Sequence, residues 1–478
     1  MSRMLMFALV GAAAPAAAGE AVTYTKHVAP ILFRQCVACH RPGEVAPFGL
    51  LSYRDAARRA DQLAEVTAAR LMPPWKAEQG HGDFRDARVL TDEEKTVFSD
   101  WAKAGAPEGD PRDLPPAPQF IDDWPLGKPD LVLRMKDAVE VPADGPDQIR
   151  VIPLPTGLTE DKMLVAVDFR PGNRAVVHHA IVAVDEIGLM QGLAQRGSPP
   201  RAPGAGGGPA PRGPFRGGGG PGFGPFRGGG PGAGPPVPPR AILELFRPGG
   251  RPAFSMLGGW VPGGTPQFIA EGFGMPLGKD AKLVLQMHYH PVGKPATDRS
   301  EVALYFAGKP GARAVHTLAM AGLPLSIPAG EKRHRVRTSF TVPIETAVHS
   351  VSPHMHQLGR EMKVEAVLPD GGRKPLVWIR DWDWNWQGRY VYREPVTLPA
   401  GTRIELEAFY DNSADNPANP NSPPKAVYWG EQTTDEMCLL FLQVSTAGKD
   451  GATALQPAMM MQRLQEGGLP GLLPRRER

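Results

Sequence analysis

The sequence predicts a multidomain fold: a small all-α domain followed by two all-β domains, each an antiparallel sandwich. Three observations predict it. Residues up to about 110 carry apolar positions at helical spacing. Residues from about 124 onward carry many short alternating runs between turn signals. A proline-rich stretch at 111–119 separates the two textures. The expected divisions are a helical domain at 21–112, a linker at 113–123, β domains at 124–309 and 310–446, and a tail at 447–478 without strong pattern.

Within the helical domain, residues 24–33 have helical apolar spacing and residues 53–69 are rich in Ala, Arg and Glu. A further helix opens at Thr91, where Glu94 completes a capping box and Trp101 lies on the apolar side. Strands are expected at 130–135, 163–169, 180–184, 282–290 and 301–306, and again at 335–342, 361–367, 403–410 and 437–444. Residues 198–240 interrupt the series with Gly213-Pro214-Phe215-Arg216-Gly217 and its near-repeat Gly224-Pro225-Phe226-Arg227-Gly228. Such a stretch cannot bury enough apolar surface to order itself, so a disordered insertion in a surface loop is expected.

The first twenty residues read as an export signal. Arg3 gives a positive start, residues 4–12 a short apolar run, and Ala16 to Ala18 a small-residue cleavage region. The mature protein is therefore expected in the periplasm or secreted, with no later segment suited to crossing a membrane. A net charge of +3 spread over 478 residues gives no electrostatic footprint for a nucleic-acid partner. The 3 cysteines, Cys36, Cys39 and Cys438, allow one disulfide at most.

Two of those cysteines have another use. Cys36-Val37-Ala38-Cys39-His40 is a C-x-x-C-H motif, the signature of covalent haem attachment: two thiols add to the haem vinyl groups, and the adjacent histidine becomes the proximal iron ligand. A redox-active C-x-x-C pair is the alternative, but such pairs belong to a βαβ context and these surroundings are helical. For the sixth ligand, Met72 lies on the proline-rich loop Leu71-Met72-Pro73-Pro74-Trp75, with His81 and His27 as competitors. The span 23–110 resembles a small bacterial cytochrome c domain.

The β region holds three histidine pairs: His178-His179, His288-Tyr289-His290 and His354-Met355-His356. Residues i and i+2 of a strand face the same side, so each His-x-His pair can address one metal. Adjacent His178 and His179 can share a metal only if the backbone bulges there. Each pair could instead be a surface or hydrogen-bonded feature, and imidazole alone suits copper, zinc and iron alike; a thioether biases a site toward copper.

The order and flanks of these pairs resemble the ascorbate-dependent copper type II monooxygenases, the family of dopamine β-hydroxylase and peptidylglycine α-hydroxylating monooxygenase. The matching pieces are Val177-His178-His179-Ala180, Leu285-Gln286-Met287-His288-Tyr289-His290-Pro291, His354-Met355-His356-Gln357-Leu358-Gly359 and Asp435-Glu436-Met437-Cys438. The resemblance implies two jelly-roll-like β domains. It implies that His178, His179 and His288 hold an electron-transferring copper. It also implies that His354, His356 and Met437 hold the catalytic copper, where oxygen and substrate react. His290 is left as a neighbour, and Gln286 would line the cleft between the metals. Ser352, Leu439 and Phe441 stand where the peptidylglycine enzyme has its substrate-binding arginine, asparagine and tyrosine, which argues against a peptide ending in glycine. Cys438 has no disulfide partner.

The expected cofactors are thus two copper ions and one covalently bound haem c. The expected activity is hydroxylation of a C–H bond of a small organic molecule by O2, with electrons from ascorbate or a redox protein entering through the haem. The alternatives are a non-enzymatic periplasmic electron-transfer or copper-handling protein, disfavoured by Met437, and a zinc hydrolase, disfavoured by the absence of a carboxylate ligand motif.

Overall fold

A computed structural model describes residues 21–44, 46–120, 123–145, 147–186, 254–261, 264, 266–430, 434–448 and 451–465. The expected export signal and the 198–240 insertion lie outside the described residues. The fold is mostly β, with several antiparallel sheets. The chain divides into two compact units, 1–74 with 88–120, and 75–87 with 121–478.

The described part of the first unit is helical. A π-helical turn at Tyr24–Val28 leads into α1 (Ala29–Gln35), followed by α2 (Tyr53–Ala57), α3 (Ala60–Ala68) and α4 (Asp92–Lys103). Leu32, Leu50, Leu63, Phe98 and Trp101 form its apolar core. The capping box is formed: the Glu94 amide donates to Thr91 Oγ1 at 3.2 Å, and the Thr91 amide donates to Glu94 Oε2 at 2.9 Å. The expected helix at 53–69 is two helices, broken at Arg58 and Arg59.

The second unit is built from β-sheets. In chain order the strands are β1 (Leu131–Arg134), β2 (Val139–Val141), β3 (Gln148–Pro153), β4 (Lys162–Arg170), β5 (Val177–Asp185), β6 (Phe254–Trp260), β7 (Phe273–Leu277), β8 (Leu283–Tyr289), β9 (Ala296–Asp298), β10 (Glu301–Phe306) and β11 (Arg313–Ala314). They form a sheet ordered β1-β10-β4-β7-β11 and another ordered β3-β8-β5-β6. Leu164, Val302 and Leu304 of the first meet Val182, Leu285 and Met287 of the second in one apolar cluster, which is the purpose of their alternating pattern.

A second pair of sheets follows. Its strands are β12 (His316–Ala321), β13 (Ser326–Ile327), β14 (His334–Thr341), β15 (Thr346–His354), β16 (Gly359–Val367), β17 (Arg373–Ile379), β18 (Tyr390–Leu398), β19 (Arg403–Tyr410), β20 (Val427–Tyr428) and β21 (Leu439–Thr446). The two larger sheets run β12-β21-β15-β18 and β14-β19-β16-β17. Val351 and Leu440 from one meet Phe340, Met362 and Leu406 from the other. Residues 75–87 join this layer through single bridges from Ala77 to Ile379 and from Phe84 to Tyr392.

The tail contains a helix, α5 (Gly451–Gln465), that the sequence pattern does not announce because its apolar face is narrow and Pro457 lies inside it. Leu455 and Met459, one turn apart, enter the second core. The Gln456 side chain donates to Ala319 O at 3.2 Å and accepts from Ala319 N at 3.1 Å, so the helix covers the open edge of β12.

The two sheet pairs touch along the outer face of β15 and β21. His349 on β15 is buried there, with Ser445 Oγ 2.8 Å from its Nε2 and the Phe273 ring 4.6 Å away. Burial, then the charges of Arg313, Arg85 and Arg389, push its pKa from 6.5 down to about 4. A base whose folded pKa lies below its unfolded one binds its proton only in the unfolded chain between those values. Stability is therefore whole above the unfolded value and falls as pH drops from 6.5 toward about 4. Thermal unfolding across that window should show the loss, and His349→Gln should flatten it; an unchanged slope would refute the assignment. Phe340→Ala, in the second core, should destabilise that layer by about 3–5 kcal/mol in denaturant unfolding.

Candidate metal centres

The first histidine set is assembled by two neighbouring strands. β5 pairs with β8 so that His179 stands opposite His288, and the register shifts between Val177 and His179. That irregularity is what adjacent histidines need to face one side, since on a regular strand they would point apart. The potential ligand atoms of His178, His179 and His288 all lie within 4.8 Å of one another. The ring centroids of His178 and His179 are 5.0 Å and 4.6 Å from that of His288.

Burial and neighbouring charge keep His178 and His179 neutral. Burial, then the neighbouring His288, pushes His178 down to about 4. His179 is lowered well below its ordinary value by burial first, then by His288, His178 and His354. Neutral imidazole is the form that binds metal.

The sequence reading assigned nothing to Asp147, yet it organises this site. Its Oδ2 lies 2.6 Å from His288 Nε2 and its Oδ1 lies 2.8 Å from His290 Nδ1. Burial would raise the Asp147 carboxyl, but the hydrogen bonds from His288 and His290 prevail and hold it well below the usual range. With Nε2 engaged, His288 presents Nδ1 to the cluster. His290 shares the carboxylate with His288, a supporting place in keeping with its expected role as a neighbour. No motif in the sequence marks Asp147; it lies just before β3, whose Ile149 pairs with His288.

The second set lies at the end of β15. The rings of His354 and His356 are 5.2 Å apart and nearly perpendicular, with Trp384 5.1 Å from His356. His354 Nδ1 donates to Gln387 Oε1 at 2.5 Å, and His356 Nδ1 donates to the Asp435 carbonyl at 3.0 Å. Both rings therefore present Nε2. Glu436 ties this set to Met437: its carboxylate accepts from the His356 amide at 2.8 Å, the Leu358 amide at 2.7 Å and the Met437 amide at 3.1 Å. The Met437 carbonyl accepts from Tyr410 Oη at 2.8 Å. Gln387 and Trp384 come from a loop that carries no motif in the sequence.

In the helical unit, the C-x-x-C-H segment makes one turn after α1, the Cys39 and His40 amides donating to the Cys36 carbonyl at 3.1 and 2.9 Å. Cys36 and Cys39 are unpaired. Burial pushes the Cys36 thiol up to about 12. His40 Nδ1 faces the Phe48 carbonyl at 3.2 Å. Met72 follows α3, its amide donating to Val66 O at 3.2 Å. Of its competitors, His27 accepts from the Thr23 amide at 3.1 Å, and His81 stacks on Trp378 in the second unit.

No family model matches the chain, and no curated protein matches it. Among solved structures it is similar to the major capsid protein P2 from bacteriophage PM2, at 8% identity over 67% of this chain and 99% of that chain, with a TM-score of 0.25. A likeness that low carries no argument.

Removing Asp147 should loosen the first metal without unfolding the sheet. Asp147→Ala is expected to weaken copper binding at the three-histidine set about 10- to 100-fold in competition with a chelator. Equal affinity in the variant would show that the carboxylate does not position His288.

Proposed function

We propose that the chain is a copper-dependent monooxygenase. It would hydroxylate a C–H bond of a small organic substrate with O2, drawing electrons through a haem in the helical unit. The observation that carries the reading is the meeting of His178, His179 and His288 within 4.8 Å. Three converging imidazoles, two of them held neutral by their surroundings, suit a copper ion. The second set offers two Nε2 atoms beside a chain segment carrying a thioether, a donor group biased toward copper. In this reading the sheet pairs are the two sandwich domains implied by the resemblance to copper type II monooxygenases, and the helical unit is a cytochrome c domain.

His178, His179 and His288 would hold the electron-transferring copper, and His354, His356 and Met437 the catalytic one. Cys36 and Cys39 would hold the haem covalently, and His40 and Met72 would ligate its iron. Bound copper supplies one-electron chemistry and activation of O2; bound haem supplies a relay for single electrons. The protein's own groups do the rest. Asp147 orients His288, Gln387 and the Asp435 carbonyl fix the tautomers of His354 and His356, and Glu436 keeps the His356 turn against Met437. The net change is R–H + O2 + two electrons + two protons giving R–OH + H2O. An export leader over residues 1–20 would put the enzyme in the periplasm or outside the cell, with ascorbate or a redox protein as donor. Among the described residues no helix is long and apolar enough to cross a membrane.

The test is the copper-to-haem ratio of the purified protein after copper loading and removal of loose metal. About two coppers per haem is expected, and Met437→Ala should weaken one of them while sparing the other. No tightly held copper, or zinc in its place, would overturn the reading.

A further inference from the structure

Resting on that oxygenase reading, we propose that the outer face of β15 carries a carboxylate-binding subsite built on Arg389 and Arg85, so that the substrate is an organic acid.

Arg389 begins from an unusual position. Its side chain is exposed, while the Gln443 and Ser350 side chains that hold it are buried. The guanidinium is aimed by two neutral acceptors, Nη2 donating to Gln443 Oε1 at 2.7 Å and Nε to Ser350 Oγ at 3.3 Å. Among the described residues, no carboxylate pairs with Arg389, Arg85 or Arg313. Other arginines of the same layer are paired: Arg333 with Glu361, Arg337 with Glu407, Arg373 with Glu365 and Arg393 with Asp83. Burial and the Arg85 charge lower Arg389 to about 10, and the same three arginines depress the neutral His349 behind them. Cations gathered without an acid of their own raise the local concentration of anions. The planar fork of a guanidinium matches a carboxylate better than any other common group.

The subsite shares a surface with the second histidine set. Val351 of β15 enters the core, so Ser350, Ser352 and His354 share the opposite face. Arg389 is bonded at Ser350, and His354 lies four residues along, about 13 Å at strand rise. Between them the floor is Ser352 beside the half-buried Phe441, which pairs with it across the sheet. From the other side, Arg389 follows by two residues the Gln387 that holds His354. The groups in line are therefore a cation, an apolar floor and a metal-binding histidine. They fit an acid with an aromatic or aliphatic body that presents a C–H bond at the far end.

Calorimetric titration of the full chain with phenylacetate, with its uncharged analogue phenylacetamide and with inorganic phosphate tests this. The native protein should prefer phenylacetate over the amide by about tenfold or more, and phosphate should compete poorly. Arg389→Gln should remove most of that preference and Arg85→Gln part of it, with circular dichroism confirming the fold. If Arg389→Gln does not fold, the decision passes to Arg85→Gln. No preference in the native protein, an unchanged preference in the folded variant that decides, or phosphate binding as well as phenylacetate would each overturn the subsite. Copper content of the same samples separates the two readings. Acid preference without copper would leave the subsite standing and remove the oxygenase, whereas copper without acid preference would remove only the subsite.

Discussion

The second histidine set depends on one buried carboxylate. Glu436 has no exposure to solvent, and it gathers the amides of His356, Leu358 and Met437. Burial pushes its pKa up to about 8 even against those donors, so keeping it in place is costly. What it secures is the approach of two chain segments some eighty residues apart, a sharp turn after β15 and the lead-in to β21. Neither segment could hold its course by strand pairing alone, because the ladder between β15 and β21 ends at His354 and Leu439.

Register shifts lie beside several of the candidate site residues, as they also do elsewhere in the sheets. The register shifts between Val177 and His179 beside the first set, between Val348 and Ser350 beside the arginine cluster, and between Gly359 and Glu361 after the His356 turn. A regular strand alternates its side chains, which suits a core on one side and water on the other. An extra residue breaks that alternation and lets neighbours converge. The regular parts of the same strands fill two apolar cores, so the sites are held by rigid packing rather than by loops alone.

Hydrogen bonds to the far nitrogens are the second common device. Asp147, Gln387, the Asp435 carbonyl and the Phe48 carbonyl each engage one nitrogen of a histidine and thereby settle which nitrogen is presented. Three of these partners are remote in sequence from the histidine they orient. They come from the entry to β3, the loop before β18 and the approach to β21.

The candidate site motifs were legible in the sequence, because spacing is a local property: C-x-x-C-H, two His-x-His pairs and a His-His pair need no fold to be seen. Most strands of the two cores were legible for the same reason, Glu301–Phe306 and Arg403–Tyr410 to the residue. β15 was not, although it bears His354, because it is covered on both faces and its Ser and His residues break the apolar alternation. The tail helix escaped notice because, among the described residues, few of its side chains, Leu455 and Met459 foremost, commit it to the core. The tertiary structure alone decided that His178 and His179 share a side with His288, that Asp147 and Glu436 are organising groups, and that among the described residues no carboxylate pairs with Arg389 or Arg85. Those are matters of which distant segments touch, and a linear pattern contains no distance between them.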